Sequence, residues 1–390
     1  MASAREEDDV RNFHRQAKGK IGMSLMFPIE TREDLAKTYT PGVAIPARDI
    51  AADPEKVWKL TGRRNRVAVV SDGSAVLGLG NVGPLAALPV MEGKAALFKQ
   101  CADIDAFPIV LSTQDVDAIV ATVKAIAPSF GGINLEDIAA PRCFEVEERL
   151  KRELDIPVFH DDQHGTAIVV LAGLLNALKV ARRSTSRSDV PHIRIVMSGA
   201  GAAGTAIARI LLSQGFTNIL IVDRNGIISR KRADLNSEAK MFLAAATNPG
   251  SIEGGLQEAM DGSDVFIGVS APNLVTKDMV RSMAKDPIIF ALANPDPEIL
   301  PTDAKDAGAF IVASGRSDFP NQVNNLLAFP GVFRGALDAG AREITEKMKL
   351  AAALALAACV LEPTVEKILP DPLEKEVATK IAEAVRKAAE

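Results

Sequence analysis

The stretch HIRIVMSGAGAAGTAIARILLSQG sets Gly199, Gly201 and Gly204 in the spacing G-x-G-x-x-G. The first glycine allows a tight turn, the second lets the backbone approach a pyrophosphate, and the third lets the next helix pack closely on its strand. Spacing alone is weak evidence. Here an apolar strand precedes it, a helix follows, and the next apolar run, NILIVD, ends in Asp223, 19 residues after Gly204. An acidic residue at that place can hold the hydroxyls of an adenosine ribose. The turn, with Ala202 and Ala203 inside it, therefore predicts a dinucleotide site. Asp223 favours NAD, because a carboxylate repels a 2′-phosphate. Arg224, Lys231 and Arg232 follow closely and could neutralise one, which leaves NADP open.

Three further groups suit acid, base or metal chemistry. Tyr39, the sole tyrosine, lies in YTPGVA and offers a phenolic proton. Lys94, in MEGKAALFKQ, is expected to open an apolar helix after Gly93, where the positive helix end pushes an ammonium toward the neutral form a base needs. Glu136 and Asp137 in NLEDIAAP, and Asp161 and Asp162 in HDDQHGT, fall at the ends of predicted strands, where α/β sheets place their sites. Oxygen-only ligands of this kind suit Mg²⁺ or Mn²⁺. Taken singly, each group has a plainer reading: a tyrosine packed at a turn, a solvated lysine, a solvated acidic pair, a helix N-cap. His160 and His164 are four apart, but the DDQ between them and Gly165 after them read as a turn entering a helix. They are not assigned as ligands.

The elements that must hold these residues alternate. RVAVV (66–70), FPIVL (107–111), INLEDI (133–138) and PVFH (157–160) read as strands, with helices predicted over 115–127, 142–154 and 165–180. IRIVM (193–197), NILIVD (218–223), DVFIGV (264–269), PIIFALA (287–293) and AFIVAS (309–314) continue the series, and the chain from about Val332 reads as nearly all helical. Such alternation implies parallel sheets covered by helices, an α/β fold with a Rossmann-type doubly wound domain. A first α/β domain is expected over 1–163, a nucleotide-binding domain over 164–332, and a helical segment, 333–390, packing back on the first. The polar stretch 182–191 is the most linker-like.

At 390 residues the chain is long enough for two or three domains, and 47% apolar with 24% charged residues is the composition of a folded protein. A net charge of −5 gives no electrostatic case for nucleic acid or an anionic membrane. Three widely spaced cysteines form no disulfide or zinc pattern and suit a reducing cytoplasm. The N-terminus has no apolar h-region, so no signal peptide is expected, and the longest apolar run, 350–361, is too short to span a bilayer.

Together the motifs YTPGVA, SDGSAVLGLGNVGPLAALPVMEGKAALFK, NLEDIAAP, HDDQHGTA, SGAGAAG, FALANPDPE and NQVNNLLAFPGVFRGAL resemble the malic enzyme family in its short form, over most of the chain. The resemblance implies oxidative decarboxylation of L-malate to pyruvate and CO₂, with NAD or NADP and a divalent cation. It implies Tyr39 as acid and Lys94 as base, Glu136, Asp137 and Asp162 on the metal, and Asp161 supporting that shell. Asn294 and Asn325 would bind the substrate near the nicotinamide, Asn294 also touching the cofactor, with Gly199, Gly201, Gly204 and Asp223 on the dinucleotide. A homodimer is implied too. Larger members carry a malate-binding arginine where this chain has Ala75, so either another cation or a residue of the neighbouring subunit is expected to replace it, or carboxylate recognition is expected to be weaker. Ending at Glu390, the chain is expected to lack the phosphotransacetylase-like extension of hybrid members. The competing readings are a malolactic reaction giving lactate, a catalytically silent nucleotide-binding protein, and an amino-acid dehydrogenase of similar plan.

Overall fold

Val67, Ala68, Val69 and Val70 are wholly buried, as a parallel strand covered on both faces must be. In the computed structural model, which describes residues 4–17 and 19–390, four helices precede that strand. They are α1 (Ala4–Ala17), α2 (Arg32–Thr38), α3 (Ala44–Ala52) and α4 (Val57–Leu60), and α2 to α4 bury no residue. The first unit then runs β1 (Arg66–Ser71), α5 (Pro84–Ala102), β2 (Asp105–Val110), α6 (Val116–Ile126), β3 (Gly132–Leu135), α7 (Arg142–Glu153) and β4 (Val158–His160). Its strands are parallel in the order β2-β1-β3-β4.

Helix α8 (Asp161–Val180) leads into the second unit. There follow β5 (Ile195–Ser198), α9 (Ala202–Ser213), β6 (Ile219–Asp223), β7 (Gly226–Ile227), α10 (Glu238–Ala246) and α11 (Leu256–Met260). The unit closes with β8 (Val265–Gly268), α12 (Lys277–Ser282), β9 (Ile288–Ala291), α13 (Pro301–Asp306) and β10 (Ile311–Ser314). The sheet order is β10-β9-β8-β5-β6-β7, parallel except for the short β7. This is the Rossmann-type arrangement, with the order reversing beside β5. Helix α8 is long and apolar enough to cross a bilayer, but 72% of that apolar window is buried inside the fold.

Three helices end the chain: α14 (Phe329–Asp338), α15 (Glu346–Ala358) and α16 (Glu376–Ala389). Phe329 and Phe333 of α14 meet Phe98 of α5 at 4.7 and 5.3 Å between ring centroids, and Phe333 meets Phe159 of β4 at 5.7 Å. Such tilted and edge-on contacts tie the C-terminal segment to the first sheet. Residues 359–375 are not helical, so the all-helical reading of the last stretch holds only in part.

Among the element boundaries that differ from the sequence expectation, two carry the carboxylates of the site. The strand expected over 133–138 ends at Leu135, because Asp137 takes a left-handed φ of 54° and turns the chain out of the sheet. The helix expected from Gly165 starts at Asp161, directly after β4. Its polar first turn, which looks like a loop in sequence, has partners on other elements.

Candidate active site

The C-terminal ends of both sheets open on one cleft of about 830 Å³. Lys94, Glu136, Asp137 and Asp162 line it from the first unit, and Ala202, Ala203, Asn294 and Asn325 from beyond α8. Ligands of open parallel sheets bind at such strand ends.

Lys94 lies in the middle of α5, not at a helix start. The helix runs from Pro84 through Pro89 and Gly93 to Ala102, so no helix N-terminus acts on the ammonium. The expected push toward neutrality is overturned. Nζ is 2.5 Å from Asp161 Oδ2 and 2.8 Å from Glu136 Oε1, lies 4.2 Å from the Phe329 ring centroid, and is 3.5 Å from Asn325 Oδ1. Burial opposes the charge, but the fields of Asp161 and then Glu136 outweigh it and raise the lysine pKa above its ordinary value. Two carboxylates hold this proton.

Glu136 is positioned by Asn134 of β3, whose Nδ2 donates to Oε2 at 2.8 Å, and burial pushes its pKa up. The turn at Asp137 brings its carboxyl beside Glu136, and its N–H donates to Asp162 Oδ2 at 2.8 Å. Carboxylate oxygens of Glu136, Asp137 and Asp162 lie within 4.8 Å of one another. An all-oxygen set of that span fits a hard divalent cation such as Mg²⁺ or Mn²⁺. Asp161 faces Lys94 instead, folded against its own helix: a Cβ on Gly165 would lie 1.8 Å from Asp161 Oδ1. Burial pushes Asp161 up to about 6 against the Lys94 field, and pushes Asp162 up to about 6 with Lys94 opposing and Asp161 adding.

At the dinucleotide turn Gly199 has φ 119°, and a Cβ on Gly204 would meet Gly199 O at 2.0 Å, so both glycines are needed for α9 to approach β5. Gly201 caps α9 with no side-chain hydrogen bond, which leaves the first-turn N–H groups to face an anion. Asp223 ends β6, but its carboxylate is already engaged. Arg232 donates to both oxygens at 2.8 and 3.1 Å and Lys240 to Oδ2 at 2.8 Å. Burial opposes its charge, yet Arg232 and Lys240 hold its pKa below the ordinary value. Lys231 pairs with Glu253 instead, and Lys240, 17 residues along the chain, is a partner that local sequence does not reveal.

Tyr39 stands apart. It caps α2, is 68% exposed, and is not among the residues lining the cleft. Three buried carboxylates also escaped the sequence reading. Asp72 accepts from the Ser74 N–H and hydroxyl and from Arg142, shaping the loop that carries Ala75. Glu298 accepts from the N–H groups of Ser270 and Ala293 at 2.9 and 3.1 Å, fixing the cleft rim next to Asn294. Glu147 accepts from the His160 N–H, Gln163 and His164, anchoring the start of α8. The only signal for Glu147 is its place on the apolar stripe of α7 with Cys143, Val146 and Leu150.

Two parallel α/β units sharing one cleft, with a dinucleotide turn facing a lysine among carboxylates, define a nucleotide-linked oxidoreductase of the two-domain dehydrogenase class. The chain belongs to the malic enzyme family: "Malic enzyme, N-terminal domain" matches residues 18–151 and "Malic enzyme, NAD binding domain" residues 163–390. It is 54% identical over 389 residues to the bifunctional malic/malolactic enzyme of Bacillus subtilis, covering 99% of this chain and 93% of that protein. It is 54% identical to an NAD-dependent malic enzyme of Geobacillus stearothermophilus, over 97% of this chain and 78% of that one. The crystal structure of the NAD-dependent malic enzyme of Thermotoga maritima superposes with a TM-score of 0.92 at 50% identity, covering 99% of each chain.

Proposed function

We propose that this chain oxidatively decarboxylates L-malate to pyruvate and CO₂ while reducing NAD or NADP, with Mg²⁺ or Mn²⁺ at Glu136, Asp137 and Asp162. The observation that carries the reading is Lys94, held between Asp161 and Glu136 and next to the three-carboxylate cluster, in the same cleft as the glycine turn. A divalent ion held there would polarise the C2 oxygen, stabilise the enolate and weaken the hold of Glu136 on the Lys94 proton. Lys94, after passing that proton to Asp161 Oδ2 at 2.5 Å, would take the C2 hydroxyl proton, and a nicotinamide held at the glycine turn would supply the acceptor for the C2 hydride. Asp161 keeps the lysine aimed, and Asn294 and Asn325 orient the substrate carboxylate. After CO₂ leaves, the phenol of Tyr39 protonates C3.

Tyr39 can act only if it reaches a cleft, and we assign that cleft to a second copy of the chain. Supporting this, α2 to α4 bury nothing of their own and Leu35, Tyr39, Val43 and Ile45 are exposed together. An apolar N-terminal surface of this kind suits an isologous homodimer. The three free cysteines suit a cytoplasmic setting. The deciding assay is a cofactor-by-metal matrix with L-malate, following pyruvate and reduced nicotinamide together. Equal yields that vanish with chelator are expected; robust turnover with chelator present removes the metal assignment. The name of the Bacillus subtilis relative supports a second reading, lactate formation without net reduced cofactor, which the same assay separates.

A further inference from the structure

A C4 dicarboxylate brings two negative charges into a cleft already lined by Glu136, Asp137 and Asp162. A cation among those three can answer for one end of it. A positive group lining the cleft would answer for the other end. Among the described residues lining the cleft, the side chains able to carry positive charge are His14, Lys20 and Lys94. Lys94 is committed to Asp161 and Glu136, and His14 packs edge-on to Phe13 of its own helix.

Lys20 is different. It forms no ion pair among the described residues; Nζ donates to Pro89 O at 2.7 Å, and its backbone N–H donates to Glu92 Oε2 at 3.2 Å. An ammonium has three donors, and a single carbonyl leaves two for a ligand. The backbone bond fixes Lys20 against α5 whatever its side chain does. The ammonium borders the cleft that Lys94 also lines, and a Cβ on Gly93 would lie 3.9 Å from Lys20 Nζ. With no side chain at Gly93, that space stays open. Ala75 lines the same cleft and offers only a methyl group.

We propose that Lys20 binds the carboxylate of the substrate remote from the oxidised carbon, the C4 carboxylate of L-malate. This rests on the reading of L-malate as substrate. The test compares wild type, Lys20→Met and Lys20→Arg, with NAD and Mn²⁺ present, by KM and kcat for L-malate and by inhibition with oxalate. Oxalate chelates a metal through adjacent carboxylates and has no remote one. Loss of a charge-assisted contact in Lys20→Met should raise KM for L-malate about tenfold or more while kcat falls less than about threefold. The oxalate inhibition constant should stay within about twofold of wild type, and Lys20→Arg should recover most of the malate affinity. A malate KM unchanged in Lys20→Met, or an oxalate constant rising in step with it, overturns the assignment. A wild-type chain that binds oxalate but does not turn over L-malate overturns the substrate reading, and this proposal with it.

Discussion

Lys94 keeps its proton because two carboxylates from distant parts of the chain flank it, and the residue-scale predictions start there. Lys94→Ala should lower kcat by about 10²–10⁴-fold while leaving the Kd for NADH within about twofold, measured by fluorescence titration. Asp161 and Asp162 both have folded pKa values raised from 3.8 to about 6. Groups raised in this way stabilise the metal-free chain fully below their unfolded value and lose that contribution as pH climbs through about 6. A metal bound as proposed would need the ionised Asp162, so the signs oppose. Melting curves from pH 4.5 to 7.5 should show Mn²⁺ protection growing with pH, with little of it below about 5. Protection independent of pH would contradict the assignment of Asp162. Asp223→Asn removes a carboxylate but leaves Arg232 and Lys240 where the ribose is expected to lie. The ratio of kcat/KM for NADP over NAD should then rise about tenfold.

At the scale of elements, α7, α8 and α15 meet in one polar knot. Glu147 of α7 takes hydrogen bonds from the first turn of α8, and Lys349 of α15 reaches His164 at 3.1 Å. His164 is pushed down to about 4 by burial, with Glu147 opposing, so near neutrality it is an uncharged link between the lysine and the carboxylate. Replacing Glu147 by Gln should cost about 2–4 kcal/mol in urea melts and also weaken Mn²⁺ binding, since Asp162 sits on the turn that Glu147 anchors. Loss of stability with metal affinity intact would separate the knot from the site. The alternation of strands and helices was legible because parallel strands buried on both faces must be continuously apolar, as in β1. The start of α8 was not, because Asp161, Asp162, Gln163 and His164 look like a loop until their partners on α5, α7 and α15 are known. Gly93 likewise suggested a helix opening only at Lys94, a start that packing of α5 against β1 and β2 overrides.

For the whole molecule, the open question is where Tyr39 goes. If each cleft takes its phenol from the second copy, mixing inactive Tyr39→Phe with inactive Lys94→Ala should restore activity. Half of randomly reassorted dimers are hybrids with one intact site of two, so recovery should approach about a quarter of wild type. No recovery after verified subunit exchange would place both residues in one chain.

Residue types and their order along the chain determined a good deal by themselves. A strand, three glycines and a closing acid specify a dinucleotide turn because that geometry is local. The carboxylate pairs flagged an oxygen-ligand site because oxygen-only donors at strand ends suit a hard divalent cation. What tertiary structure alone decided was the charge state and company of those groups. Lys94 meets Asp161 across 67 residues of sequence, and Asp223 gains Lys240, 17 residues away, beside Arg232 and the nearby Asn225 N–H. Electrostatic energy follows separation in space and exposure to water, and sequence distance fixes neither.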